Sequence, residues 1–204
     1  MCVLLPMLSG VECLFRKGGE GDAAMDDVPA CDGEMEADAA TRADAAGGAP
    51  AAPTAPAFAS SIAACLPAAA QEQLTALEAA NMAGFTRNGD AFDRYFTKWD
   101  LTVHTVRSAD GQLLGFAISG LEGRGKAFLY ELHVAADARS RGFGRALIDL
   151  VERSATRARG GGGGTVELHV HKSNIAAQEF YEHLGFVLVG EASEGRVLVM
   201  QRKR

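Results

Sequence analysis

The chain has 204 residues, 48% of them hydrophobic, and a formal net charge of −6. That is long enough for one well-buried core, and no apolar run approaches the eighteen or so residues a membrane helix needs. Ten of the 26 acids but only three of the 20 bases fall in residues 1–70, leaving 16 acids against 17 bases in the remainder. The acidity therefore belongs to the N-terminal third, and neither a membrane nor a direct nucleic-acid partner is expected.

Residues 1–70 are rich in Ala, Gly, Pro and Asp, and positions 39 to 57 are nearly low-complexity, so this stretch reads as a disordered acidic tail. Val3 to Leu8 is apolar but lacks a preceding cationic segment, and acids crowd the beginning, which argues against a targeting peptide. Cys2, Cys13, Cys31 and Cys65 all lie outside the folded region expected at residues 71–204, and they show no paired ligand spacing. No disulfide framework or metal site is expected, and the compartment implied is reducing, cytoplasmic or nuclear.

Two amphipathic helices open the folded region. One runs from Gln71 to Ala83 with Leu74, Leu77, Ala80 and Ala83 inward, and the other from Asp90 to Lys98 with Phe92, Tyr95 and Phe96 inward. Strands at Leu101 to Val106 and Leu113 to Leu121 flank the turn signal Asp110-Gly111, and Lys126 to Val134 reads as a third strand. A helix follows with Leu147, Leu150, Val151 and Ser154 on one face, and Gly160 to Gly164 reads as a connector. Thr165 to Val170 alternates with Val166, Leu168 and Val170 on one side and Glu167, His169 and His171 on the other. A helix from Ile175 to about Leu184, stopped by Gly185, and strands at Phe186 to Gly190 and Arg196 to Gln201 complete a mixed, mostly antiparallel sheet flanked by helices.

Between the third strand and its helix lies Arg139-Ser140-Arg141-Gly142-Phe143-Gly144-Arg145. Cations in a first helical turn oppose the helix dipole, so folding gives them no reason to be there, whereas a polyanion does. A dinucleotide fingerprint would need a third glycine where Leu147 stands, and a Walker loop would need a Gly-Lys-Ser/Thr ending. The Arg-x-x-Gly-x-Gly that remains resembles the coenzyme A loop of the GNAT superfamily of N-acetyltransferases. Asn174-Ile175-Ala176 with Phe180-Tyr181 and Gly185-Phe186 is similar to that superfamily's closing motif, in the expected order.

The resemblance implies the GNAT fold, an α/β mixed sheet splayed where acetyl-CoA enters, with acetyl-CoA as cosubstrate and no metal. It assigns the pyrophosphate to residues Arg139, Ser140, Arg141, Gly142, Phe143, Gly144 and Arg145. The pantetheine arm goes to backbone groups of Leu132, His133 and Val134, with Asn174 opposite. An N-cap is the other role open to Asn174. Glu131, an acid in an otherwise apolar strand, is the candidate base, with His133 as its alternative; an outward carboxylate paired with Arg or Lys is the other reading. Tyr181 is the candidate acid by resemblance, or else a core aromatic. His133, His169 and His171 are expected to face outward.

Tyr130-Glu131 is similar to the pair in NatD-type enzymes, which acetylate core-histone N-termini; this makes Tyr130 a substrate contact and a protein N-terminus the leading acceptor. A small amine, or a non-catalytic acyl-CoA-binding module, are the alternatives. A monomer or weak dimer is expected.

Overall fold

The computed structural model describes residues 55–83, 92–123, 125–193 and 195–203. Seven strands form one sheet: β1 (Ala57–Ile62), β2 (Leu101–Arg107), β3 (Leu113–Leu121), β4 (Lys126–Val134), β5 (Thr165–His171), β6 (Val187–Ala192) and β7 (Val197–Lys203). Their spatial order is β1-β2-β3-β4-β5-β7-β6, antiparallel throughout except for β4 and β5. Helix α1 (Ala68–Asn81) and a 3-10 turn (Arg94–Thr97) cover one face; α2 (Phe143–Ala158) and α3 (Ile175–His183) cover the other.

The larger core joins Leu147, Ile148 and Val151 of α2 and Ala177 and Tyr181 of α3 to Leu129, Leu132, Val166, Leu168 and Val170 of the sheet. On α2 the stripe is turned slightly from its sequence reading: Ile148 and Ala155 are buried, while Ser154 hydrogen-bonds Leu150 O within the helix. Arg202 of β7 pins this layer, donating to Glu152 and Asp149 of α2 and to the carbonyl of Leu184 just beyond α3. The smaller core packs Leu74, Phe92, Phe96, Val103, Phe116 and Ile118 between the sheet and the α1 side.

Folded structure begins earlier than composition implies. Ala57–Ile62, assigned to the tail by composition, pairs with β2 from Arg107 to Thr102, and α1 starts at Ala68 rather than Gln71. The strand was illegible because its large apolar residues, Phe58 and Ile62, remain exposed, so backbone pairing and not burial fixes it. Cys65 lies in the 3-10 turn after β1, inside the fold. The tail's first 54 residues, and most of the start of the helix expected at Asp90, lie outside the described residues; Arg94–Thr97 is 3-10 rather than α.

His104 joins β1 to the sheet interior. Its Nδ1 lies 2.7 Å from Ser60 Oγ and its Nε2 3.3 Å from Ser119 Oγ. Burial pushes its pKa down from 6.5 to about 4. Unfolded chain takes up this proton near pH 6.5 and folded chain only near 4, so stability falls as pH drops through that window and no further below it. The loss amounts to about 3 kcal/mol. His104→Gln is expected to destabilise the protein at neutral pH yet flatten the slope between pH 6.5 and 4. Denaturant unfolding at several pH values checks this, and an unchanged slope would assign the effect to other groups.

Candidate functional site

Strands β4 and β5 run in parallel register for four residues only, Lys126 with Thr165 through Leu129 with Leu168, and then part. A bulge coincides with the parting. Ile118 faces Glu131 but Ser119 faces Leu129, which leaves Tyr130 as the extra residue of β4. The bulge also changes the strand's parity. Ala127, Leu129, Leu132 and Val134 all join the α2 core, while Glu131 sits opposite Ile118, and His133 stacks on Phe116 with ring centroids 4.9 Å apart.

Past the bulge, β4 keeps β3 on one side only. Ala135 N donates to Leu114 O at 2.8 Å, so by antiparallel alternation the backbone groups of Val134 and Leu132 point away from β3, toward the parting. His133 backbone points toward β3: a Cβ added to Gly115 would lie 2.8 Å from its carbonyl oxygen. Of the three residues expected to present backbone groups to a pantetheine arm, Leu132 and Val134 turn theirs toward the parting and His133 turns its own toward β3. The Val134 carbonyl is already used, accepting from Asn81 Nδ2 at 3.2 Å and Arg139 Nε at 3.4 Å.

Glu131 is buried, 4% exposed, and His133 fully so. Their contact is His133 Nε2 to Glu131 Oε2, 3.0 Å. Nδ1 of the same ring is buried without a partner, which suits the tautomer that carries its proton on Nε2 and donates it to the carboxylate. Burial raises the Glu131 pKa above the ordinary carboxylate range. The hydrogen bond and electrostatic pull of His133 oppose that shift, the like charge of Glu78 adds to it, and a hydrogen bond from Tyr95 opposes it. No Arg or Lys pairs with Glu131 among the described residues, so the outward ion-paired reading does not apply. His133 is likewise core rather than surface; the bulge, invisible to a simple alternation rule, turns both side chains inward toward α1.

An aromatic row borders the pair. Tyr95 meets Tyr130 at 5.7 Å, Tyr130 meets Phe128 at 4.8 Å, and Phe128 meets His169 of β5 at 5.0 Å, which carries the row across the parting strands. His169 is half-buried; burial lowers its pKa, against the opposing charge of Glu167. His171 is tied to Ser173 Oγ, 2.7 Å from its Nδ1.

The arginine-glycine loop divides in two. Arg139 turns back into the fold, donating from Nη2 to Asn81 Oδ1 at 2.6 Å as well as to Val134 O. Arg141 and Arg145 stay exposed, with the Arg141 guanidinium 5.1 Å from the ring centre of Phe143, itself a core residue. Ser140 (φ 60°) and Gly142 (φ 84°) are left-handed, and nothing lies within 4 Å of where a Gly142 side chain would begin. No side chain caps α2, whose first turn also holds no acid. By contrast α3 is capped: Asn174 Oδ1 accepts from Ala177 N at 3.2 Å. Gly144 has a packing role, because its missing Cβ would sit 2.9 Å from the Phe180 ring. The loop therefore offers backbone N–H groups, the positive end of a helix and two exposed guanidinium groups, the features of an anion site.

Tyr181 is fully buried, its ring 5.3 Å from Phe180 and 5.4 Å from Phe186. Sequence reasoning missed Glu78, Asn81 and the role of Tyr95. The buried stripe of α1 is Leu74, Glu78 and, past its end, Met82, with Leu77 partly buried beside it and Ala80 and Ala83 exposed; a Glu four residues after a buried Leu was the available signal.

The profile of the Acetyltransferase (GNAT) family matches residues 71–186. An N-acetyltransferase of Methanocaldococcus jannaschii, itself uncharacterised, is 36% identical over 104 residues, 46% of this chain and 44% of that protein. The 5-NmdU N-acetyltransferase of Pseudomonas phage PaMx11 is 30% identical over 96 residues, 47% of this chain and 64% of that protein. The chain thus spans about half the length of the curated relatives it matches. Among solved structures, the ribosomal-protein-S18-alanine N-acetyltransferase of Escherichia coli superposes with a TM-score of 0.56 at 23% identity, over 72% of this chain and 93% of that one. With more than half its length matched by the profile and the fold repeated in that enzyme, the chain belongs to the Acetyltransferase (GNAT) family.

Proposed function

We propose that the protein is an acetyl-CoA-dependent N-acetyltransferase that transfers acetyl directly to a primary amine, with a protein N-terminus as acceptor. The observation that carries the reading is the position of Glu131: a buried carboxylate of raised pKa, without a cationic partner, on the residue that follows the bulge where β4 leaves β5. The residues fit acetyl-CoA. Exposed Arg141 and Arg145 with the uncapped start of α2 would hold the pyrophosphate, and outward backbone groups of Leu132 and Val134 would hold the pantetheine arm as an added strand. When bound it would supply an activated acetyl group.

Glu131 would take the proton from the amine, directly or through one water, while His133 holds the carboxylate in place through Nε2. A free α-amino group, with pKa near 8, is roughly one-tenth neutral at pH 7, whereas a lysine near 10.4 is neutral in only about one molecule in 2,500. The N-terminal amine therefore asks less of a base than a lysine does. Tyr130, in the aromatic row beside Glu131, would contact the acceptor. Tyr181 would return a proton to the departing thiolate. The phage relative is named for 5-NmdU rather than for a protein N-terminus, and a small amine acceptor is kept as the second reading.

Turnover on a panel of N-terminal peptides, core-histone N-termini among them, with spermidine, free lysine and 5-NmdU alongside, tests the acceptor. Preference for N-terminal peptides is the expected result; acetyl-CoA binding with no turnover on any amine would leave only a binding module. Glu131→Gln is expected to lower turnover about a hundredfold to ten-thousandfold, most severely at low pH and less as pH nears the amine pKa. Tyr181→Phe, which keeps the buried ring, should slow turnover at all pH values if the hydroxyl acts as acid, and leave it unchanged if the ring only packs.

The arginines separate binding from folding. Arg141→Gln and Arg145→Gln are each expected to weaken coenzyme A binding about tenfold or more with little change in Tm. Arg139→Gln should instead cost about 1–3 kcal/mol of stability, because it strips donors from Asn81 and Val134. Titration calorimetry paired with thermal melts checks both, and equal losses of affinity from all three would merge their roles.

A further inference from the structure

We propose that Glu78 is a positioning residue for the Glu131–His133 pair: a second carboxylate, carried by α1 onto the buried side of β4, that sets how readily Glu131 accepts a proton from an incoming amine. This rests on the reading of Glu131 as the base.

The placement comes first. Glu78 is 3% exposed and, with Leu74, is one of the two buried residues of α1. Asn81 lies three residues further on the same helix face, and its side chain fixes the helix over the end of β4 through Val134 O and Arg139. One turn back along the helix, Glu78 is thereby set over the interior of β4, where Glu131 and His133 emerge beside the bulge. Helix residues that pack on a sheet are ordinarily apolar; a glutamate in the middle of this stripe is costly to bury and adds nothing to packing that a leucine would not.

The charges follow from that placement. Among the described residues, the titratable groups that act on Glu131 are His133 on its own strand, Glu78 from α1 and Tyr95 from the 3-10 turn; on β3, Ile118 stands opposite Glu131 and Phe116 opposite His133. Tyr95 and His133 stabilise the ionised carboxylate, whereas Glu78, of like sign, disfavours it. A carboxylate held only by donors would be a poor base. A neighbouring negative charge restores its affinity for a proton.

Glu78→Gln in the full chain tests this with two readouts. Carboxyl carbon NMR follows the titration of Glu131 without any substrate, and kcat/KM against pH follows it on the best amine acceptor. Glu131 is expected to titrate at lower pH in the variant, with the acid limb of the profile moving the same way. Below the wild-type limb, the variant then retains about three- to tenfold more of its plateau rate than wild type does of its own. KM for the acceptor should change little. A Glu131 titration that stays in place or moves upward overturns the proposal, as does an unmoved acid limb in an active variant. A lowered Glu131 titration in a protein that acetylates no amine upholds the coupling and removes the acetyltransferase reading instead. Should Glu78→Gln fail to fold, Glu78→Asp, which draws the charge back by one methylene, is expected to lower the Glu131 titration by a smaller amount, and no movement there overturns the proposal equally.

Discussion

The parting of β4 from β5 is the constraint from which the site follows. A parallel pair is held by evenly spaced hydrogen bonds that require both strands to keep a common course, and the bulge at Tyr130 bends β4 off that course after four paired residues. Beyond it, the outward backbone groups of Leu132 and Val134 have no neighbouring strand. Such groups are expensive to bury unsatisfied. The fold meets the need at one end, where Asn81 and Arg139 both donate to Val134 O, and so ties α1, β4 and the loop before α2 into one corner.

The same bulge sorts the buried charges. Without the extra residue, Glu131 and His133 would share the side of Leu129 and enter the core under α2; with it, Leu132 and Val134 take those positions and the polar pair turns to α1. On the α2 side, buried Glu152 and half-buried Asp149 are matched to Arg202, whose guanidinium donates to both. Glu131 has an imidazole and a phenol instead. A carboxylate neutralised by arginine is a structural cross-link; one left without a cation in an apolar setting retains an appetite for protons. The two faces of one sheet thus carry the same residue type in opposite roles, and the partner decides which.

Much of this was legible in the chain. Period-two alternation placed Val166, Leu168 and Val170 inward, and the residues from Arg139 to Gly144 and from Asn174 to Phe186 marked two helix starts correctly. What escaped has identifiable causes. β1 has no buried alternation of its own and is held by β2, so composition took it for tail. His133 read as outward because it alternates with Leu132 and Val134, but its face of the strand is covered too, with Phe116 stacked on its ring. Arg139 looked like a ligand for phosphate because its partner, Asn81, lies 58 residues earlier in sequence.

Helix starts illustrate how local sequence separates fold from function within one motif. At α3, Asn174 supplies the acceptor that the first-turn N–H groups require, and the helix is complete in itself. At α2 the cap position is a left-handed glycine that supplies none, and the cations there sit at the end of the helix that disfavours them. An Asp at position 142 would satisfy the helix chemically but would be strained at φ 84°, and it would put a carboxylate where an anion would otherwise bind. An uncapped start costs about 1 kcal/mol of stability relative to a good cap. The fold tolerates that cost at α2 and avoids it at α3, and the difference lies in which of the two N-termini is left with N–H groups and guanidinium groups to offer a ligand.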